Sequence, residues 1–126
     1  MKIKNYKKVV SVFCDYCATG IWIDGSSASF ECLEEIGFDH LKTQHVFPDL
    51  ERYQELYEGF DFYSNKADYA KIYASDDFKE YKELGLKIFT ELDKVSPYNV
   101  LVEHLDEKTG ERFIIIDSKI VNKKDV

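Results

Sequence analysis

The residue pattern specifies an α+β fold: a mainly antiparallel sheet with two principal helices packed on one of its faces, in the order ββααββ. Three observations lead there. Val9 to Phe13 is a nearly continuous apolar run, two stretches between Pro48 and Leu92 place apolar residues three or four apart, and two strand-like runs near the C-terminus flank Asp106 to Gly110. At 126 residues, 44% hydrophobic and 15% aromatic, the chain has the length and composition of one globular domain.

Taken in order, Val9, Val10, Val12 and Phe13 are β-branched or aromatic, which fits a central strand covered on both faces. Asp15 to Gly20 supplies a turn, since Asp and Thr side chains bond the local backbone and Gly20 accepts a positive φ. Ile21-Trp22-Ile23 follows as a short strand closed by Asp24-Gly25, with Trp22 as an anchor whose indole N–H requires an acceptor. Phe30, Leu33 and Ile36 fit one helical turn or an edge strand. Asp39 is placed to cap a short helix containing Leu41, and Pro48 to open a longer one.

Along that longer helix Leu50, Tyr53, Leu56, Tyr57 and Phe60 share a face, and Asp49, Glu51, Glu55 and Glu58 lie opposite. Phe60 to Tyr73 reads as a loop with a short helical piece. Ser75 is an N-cap followed by Asp76 and Asp77, and Phe78, Tyr81, Gly85, Ile88 and Leu92 then repeat at helical intervals. A glycine inside that helix costs about 1 kcal/mol against alanine, so Gly85 marks a close approach of the helix backbone to the sheet. Ser96-Pro97 stops the helix. Tyr98 to Leu105 and Glu111 to Asp117 form a hairpin, with Gly110 in the left-handed position of its turn. The tail from Val121 to Val126 is expected to fray.

Acidic residues outnumber basic ones by 24 to 17, a net charge of −7, which disfavours nucleic acid and anionic membrane as partners and favours a basic protein. Met1-Lys2-Ile3-Lys4 is basic, but the apolar run behind it is broken by Asp15 and no small-residue cleavage site follows, so no signal peptide is expected. Nor does any run approach the roughly 18 apolar residues of a membrane span. Three cysteines make no paired framework, which agrees with a reducing, cytoplasmic compartment.

No complete catalytic constellation is visible. The serines have no base or oxyanion glycines in view, Gly20 and Gly25 are isolated, and no carboxylate pair stands in an apolar setting. A binding protein, not an enzyme, is expected, with no cofactor. Cys14 and Cys17, with Cys32 and either His40 or His45, form the alternative of a small zinc- or ligand-binding domain; the spacing lacks a second C-x-x-C or H-x-x-x-H. For partner binding the expected residues are Asp49, Glu51, Tyr53, Glu55, Glu58 and Asp61, where acids for steering lie beside an aromatic anchor.

Asp15-Tyr16-Cys17-Ala18-Thr19-Gly20-Ile21-Trp22 resembles the Asp-Tyr-Cys-small-small-Gly-aliphatic-Trp motif of small bacterial immunity proteins of polymorphic and contact-dependent growth inhibition toxin systems. In outline the resemblance extends to the acidic aromatic helix at Pro48 to Tyr63, to Glu83-Leu84-Gly85-Leu86 and to the Tyr98 to Asp106 strand. It implies a cytoplasmic protein that binds and neutralises a cognate toxin domain. Together with the charge, this favours a basic nuclease as that toxin, with Asp15, Tyr16, Cys17, Gly20 and Trp22 as motif residues.

Overall fold

The computed structural model describes residues 6–126; the basic opening Met1 to Lys4 lies outside the described residues. Strand β1 is Lys8–Val12, β2 is Ile21–Ile23 and β3 is Ser26–Ser27. Two short helices follow, α1 at Cys32–Glu35 and α2 at His40–Thr43, and a 3₁₀ turn at Gln44–Val46 leads into the long helix α3, Phe47–Phe60. Helix α4 is Tyr69–Tyr73 and α5 is Asp76–Lys94. The chain then forms β4 at Val100–Leu105, β5 at Arg112–Ile116 and β6 at Lys119–Asn122, with a 3₁₀ turn at Lys123–Asp125. Among the described residues no helix is long and apolar enough to cross a membrane.

The α+β class holds, and the sheet is mixed instead of mainly antiparallel. Its six strands run in the order β3-β2-β1-β4-β5-β6. β1 lies parallel to β4, with Val10 opposite Val102 and Ser11 opposite Glu103, while every other neighbour is antiparallel. The reason is topological: β2, β3 and five helices intervene between β1 and β4, and a connection of that length can return the chain to the same end of the sheet. The element order also departs from ββααββ, because β3, β6 and three short helices join the expected set. Val121 and Asn122, placed in the expected tail, belong to β6, and the tail continues as the 3₁₀ turn.

Both long helices begin where local chemistry starts them. The Ser75 hydroxyl accepts from the Phe78 amide at 3.1 Å, and Pro48 sits in the first turn of α3, where its missing N–H costs nothing. Their apolar faces meet alternate residues of the sheet. Leu50, Tyr53 and Leu56 of α3 and Phe78, Tyr81, Ile88, Phe89 and Leu92 of α5 close one core with Val10, Val12, Ile21, Val100 and Val102. Gly85 meets its expectation: a Cβ there would lie 2.9 Å from the Tyr53 hydroxyl and 3.0 Å from His104 Cε1.

Ser11 and Glu103, which alternate with Val10, Val12 and Val102 along β1 and β4, point the other way. Glu103, 1% exposed, accepts from Ser11 Oγ at 2.6 Å, from Lys123 Nζ at 2.7 Å and from Arg112. Tyr98, expected to open this strand, is 91% exposed because the strand starts only at Val100, after a turn in which the Val100 amide donates to the Pro97 carbonyl.

The β4–β5 hairpin forms as expected, with His104 opposite Phe113, and Gly110 lies at φ +74° while its amide donates to the Asp106 carbonyl at 2.8 Å. Nothing lies within 4 Å of a Cβ built there, so backbone strain alone sets the cost of a side chain. Gly110→Val should lower stability by about 1–2 kcal/mol. A urea midpoint unmoved by that change would reject the turn.

Candidate functional site: an acidic groove beside the Asp15–Trp22 turn

The Asp15–Trp22 segment and the acidic helix α3, separate in sequence, meet in the fold. Asp15 starts the turn: its carboxylate accepts from the Tyr16 amide at 2.7 Å and from the Tyr63 hydroxyl. Cys17 takes the left-handed conformation at φ 58°, which directs its N–H to Glu58 Oε2 at 3.2 Å. From α3, Gln54 Nε2 donates to the Asp15 carbonyl at 2.7 Å and to the same Glu58 oxygen at 3.0 Å. Gly20, at φ +92°, lets the turn lie on the helix, since a Cβ there would come within 3.2 Å of both Leu50 and Tyr53. Trp22 stacks on Phe13 with ring centroids 4.5 Å apart, and its indole donates to the Phe13 carbonyl at 3.0 Å. Tyr16 remains exposed at the rim, edge-on to Tyr63.

Between this turn, the segment around Phe30 and the outer side of α3 runs a groove of about 730 Å³. Its apolar surface comes from Ala18, Ile21, Phe30, Phe47 and Leu50, and its polar surface carries Glu31, Glu51, Glu55 and Glu58 with no lysine or arginine. Arg52, the one base within α3, is held elsewhere: Nε donates to Glu80 at 2.8 Å and Nη1 to Glu55 at 2.7 Å. Part of the Glu55 charge is thereby balanced. The other groove carboxylates have no cation among the salt bridges of the described residues.

Behind the turn lie Cys14, Tyr53 and Tyr81, all buried, and the half-buried Glu107. Burial pushes the Cys14 thiol well above its ordinary value, so it does not supply a thiolate. Burial likewise pushes Tyr53 and Tyr81 up; their rings stack at 4.7 Å. Glu107 is pushed up to about 7 by burial, against the lowering effect of the Tyr81 hydroxyl 3.1 Å away.

Glu51, Glu55 and Glu58 line the groove as a set. Asp49 is turned to α5, where it pairs with Lys87 at 3.0 Å, and Asp61 ends α3 in the left-handed conformation, outside the groove lining. Tyr53, expected at the contact face, is 1% exposed and belongs to the core, where the space at Gly85 receives its hydroxyl. The alternative zinc ligands do not converge: Cys14 is buried, Cys17 exposed, Cys32 bonded to Ser29 and His40 packed near Phe30, and no metal-holding group of three forms among the described residues.

Sequence reasoning missed Glu31, Phe30, Phe47 and Gln54. The readable signal was Gln54, a polar residue four positions from Leu50 on the edge of the apolar stripe and four from Glu58. Compared with models of known protein families, with curated proteins and with solved structures, the chain matches none.

Proposed function

We propose that this chain is a cytoplasmic immunity protein, a non-enzymatic module that binds a basic toxin domain, a nuclease by preference, across the Asp15–Trp22 turn and the groove beside α3. One observation carries the reading: the immunity-like motif and the acidic helix build a single surface, joined by the bonds of Gln54 and Glu58 to the turn. That surface combines exposed aromatic side chains with uncompensated carboxylates, the composition that steers a basic partner and then holds it. A nuclease must attract phosphate, so an acidic inhibitor gains both faster encounter and charge-assisted bonds by covering its basic surface.

Glu58 is unsuited to charge reversal as a test, because its carboxylate holds the Cys17 amide and the Gln54 side chain. Glu31 and Glu51 are exposed and free of those bonds. Cells making the toxin domain encoded beside this protein should survive when it is co-expressed, and Glu31→Lys with Glu51→Lys should protect poorly. The purified double variant should associate about tenfold more slowly at low salt, with an unchanged melt. Failure of the wild type to bind that neighbouring domain would remove the proposal, and an unaltered association rate would move the interface elsewhere.

A further inference from the structure

We propose that Glu107 makes the turn of the β4–β5 hairpin a pH-sensitive latch: its neutral carboxyl lets the turn close on α5 and the Asp15 segment, and its ionisation loosens that closure. This goes beyond the binding reading above and does not depend on it.

The geometry comes first. Three successive residues of the turn hold it to the helices. Asp106 pairs with Lys82 of α5 at 3.0 Å, Glu107 accepts from the Tyr81 hydroxyl at 3.1 Å, and Lys108 lies over the Tyr73 ring, 5.3 Å from its centroid. Asp106 also accepts from the Lys108 and Thr109 amides, at 2.9 and 3.0 Å, which braces the turn internally. Glu107 has no such support. It is half-buried, and it takes part in no salt bridge among the described residues.

Every element around Glu107 presents a neutral or an acidic group, apart from one lysine that is already committed. Its own turn brings Asp106, and α5 brings Tyr81 with Lys82, the cation that holds Asp106. The segment after β1 brings Cys14 and Asp15, and α3 with the residues after it brings Tyr53, Tyr57 and Tyr63. Phenols and thiols carry no charge near neutral pH, and two carboxylates repel a third. Burial, Asp15 and Asp106 therefore outweigh the Tyr81 hydroxyl and push the Glu107 carboxyl up to about 7. The neutral acid keeps the bond from Tyr81 and brings no charge into the cluster.

The direction of the switch follows. An unfolded glutamate titrates at about 4.3, so the folded chain holds this proton more tightly. The stabilising contribution is complete below that value and is lost as pH rises through about 7. The latch is closed in mild acid and loosened above neutrality. Because Asp15 belongs to the cluster, the change reaches the turn that contains Tyr16 and Cys17.

The test is a pH titration of the full chain, with the glutamate carboxyl carbons ¹³C-labelled and the amides ¹⁵N-labelled. Glu107 should titrate at about 7 while exposed glutamates titrate at about 4.3, and the Tyr16 and Cys17 amides should follow the Glu107 midpoint. Asp15→Asn should lower that midpoint by removing a like charge, and Tyr81→Phe should raise it by removing the donor. Glutamine resembles the neutral acid, so in Glu107→Gln the amide response near pH 7 should vanish. The folding constant of that variant relative to wild type should grow about tenfold or more between pH 5 and pH 8, with the other titrating groups cancelling in the ratio. A Glu107 midpoint at the ordinary carboxylate value, a ratio that stays constant with pH, or Tyr16 and Cys17 amides that ignore the Glu107 titration would each overturn the latch.

Discussion

Glu103→Ala should destabilise the protein by about 3 kcal/mol, a fall in melting temperature on the order of 10 °C for a chain of this size. The carboxylate is 1% exposed, and its removal leaves Ser11 without an acceptor and two cations, Arg112 and Lys123, without a counter-charge. Both cations reach solvent, with side chains 48% and 33% exposed, which keeps the loss at the lower end for a broken buried pair. Burial pushes the Glu103 carboxyl up, but Lys123, Ser11 and Arg112 together outweigh it and hold the group below the usual carboxylate range. The sign follows from that depression. The contribution is present above the unfolded-state value of about 4.3 and is lost as pH falls through the lower folded-state value. Urea melts at pH 7 and pH 3 should therefore show a large deficit for the variant at pH 7 and a smaller one at pH 3. A deficit that is equal at both would show that the charge of Glu103 contributes nothing.

Gly85→Val should cost about 3 kcal/mol, because the added carbons enter space already held by the Tyr53 hydroxyl and the His104 ring. Gly85→Ala sets two effects against each other. Alanine gains about 1 kcal/mol of helix propensity, but its Cβ would sit 2.9 Å from Tyr53 Oη and 3.0 Å from Tyr53 Cε1, inside a fully packed core. The clash should win by about 1 kcal/mol, and Tyr53→Phe should recover part of the loss by removing the nearer atom. Gly59, also in a helix, has nothing within 4 Å of a built Cβ and serves as the control, since alanine there should stabilise. Equal effects at the two glycines would contradict the packing of Tyr53 under α5.

Local signals in the sequence explain what was legible. Helices α3 and α5 announced themselves through residues three and four apart and through Ser75 and Pro48, and the β4–β5 turn through Gly110. The parallel pairing of β1 with β4 was not legible, because partner choice between distant strands leaves no trace in either strand alone. Strand β6 was hidden for a different reason. The turn before it uses Asp117 and Ser118, both at positive φ, where glycine or asparagine is the expected signal. Tyr53 was placed correctly on the helix face with Leu50 and Leu56, and then misassigned to the contact surface by its residue type. Half of the groove was readable in Glu51, Glu55 and Glu58. The other half, Phe30 and Glu31, comes from a segment that joins α3 only in three dimensions.

The parallel β1–β4 pair also sets a clock on the protein's synthesis. Ser11 and Glu103, side by side at the centre of the sheet, are separated by 92 positions in the chain. That contact must close a long loop, whose entropic cost precedes any reward, so folding waits on topology more than on helix formation. At ordinary rates of translation β4 leaves the ribosome roughly 5–20 s after β1. During that interval Val10 and Val12 have no strand on one side, and the turn at Asp15 rests on a sheet that is not yet built. A nascent chain halted after α5 would hold every residue of the acidic groove and still lack the strand that fixes β1 beneath it.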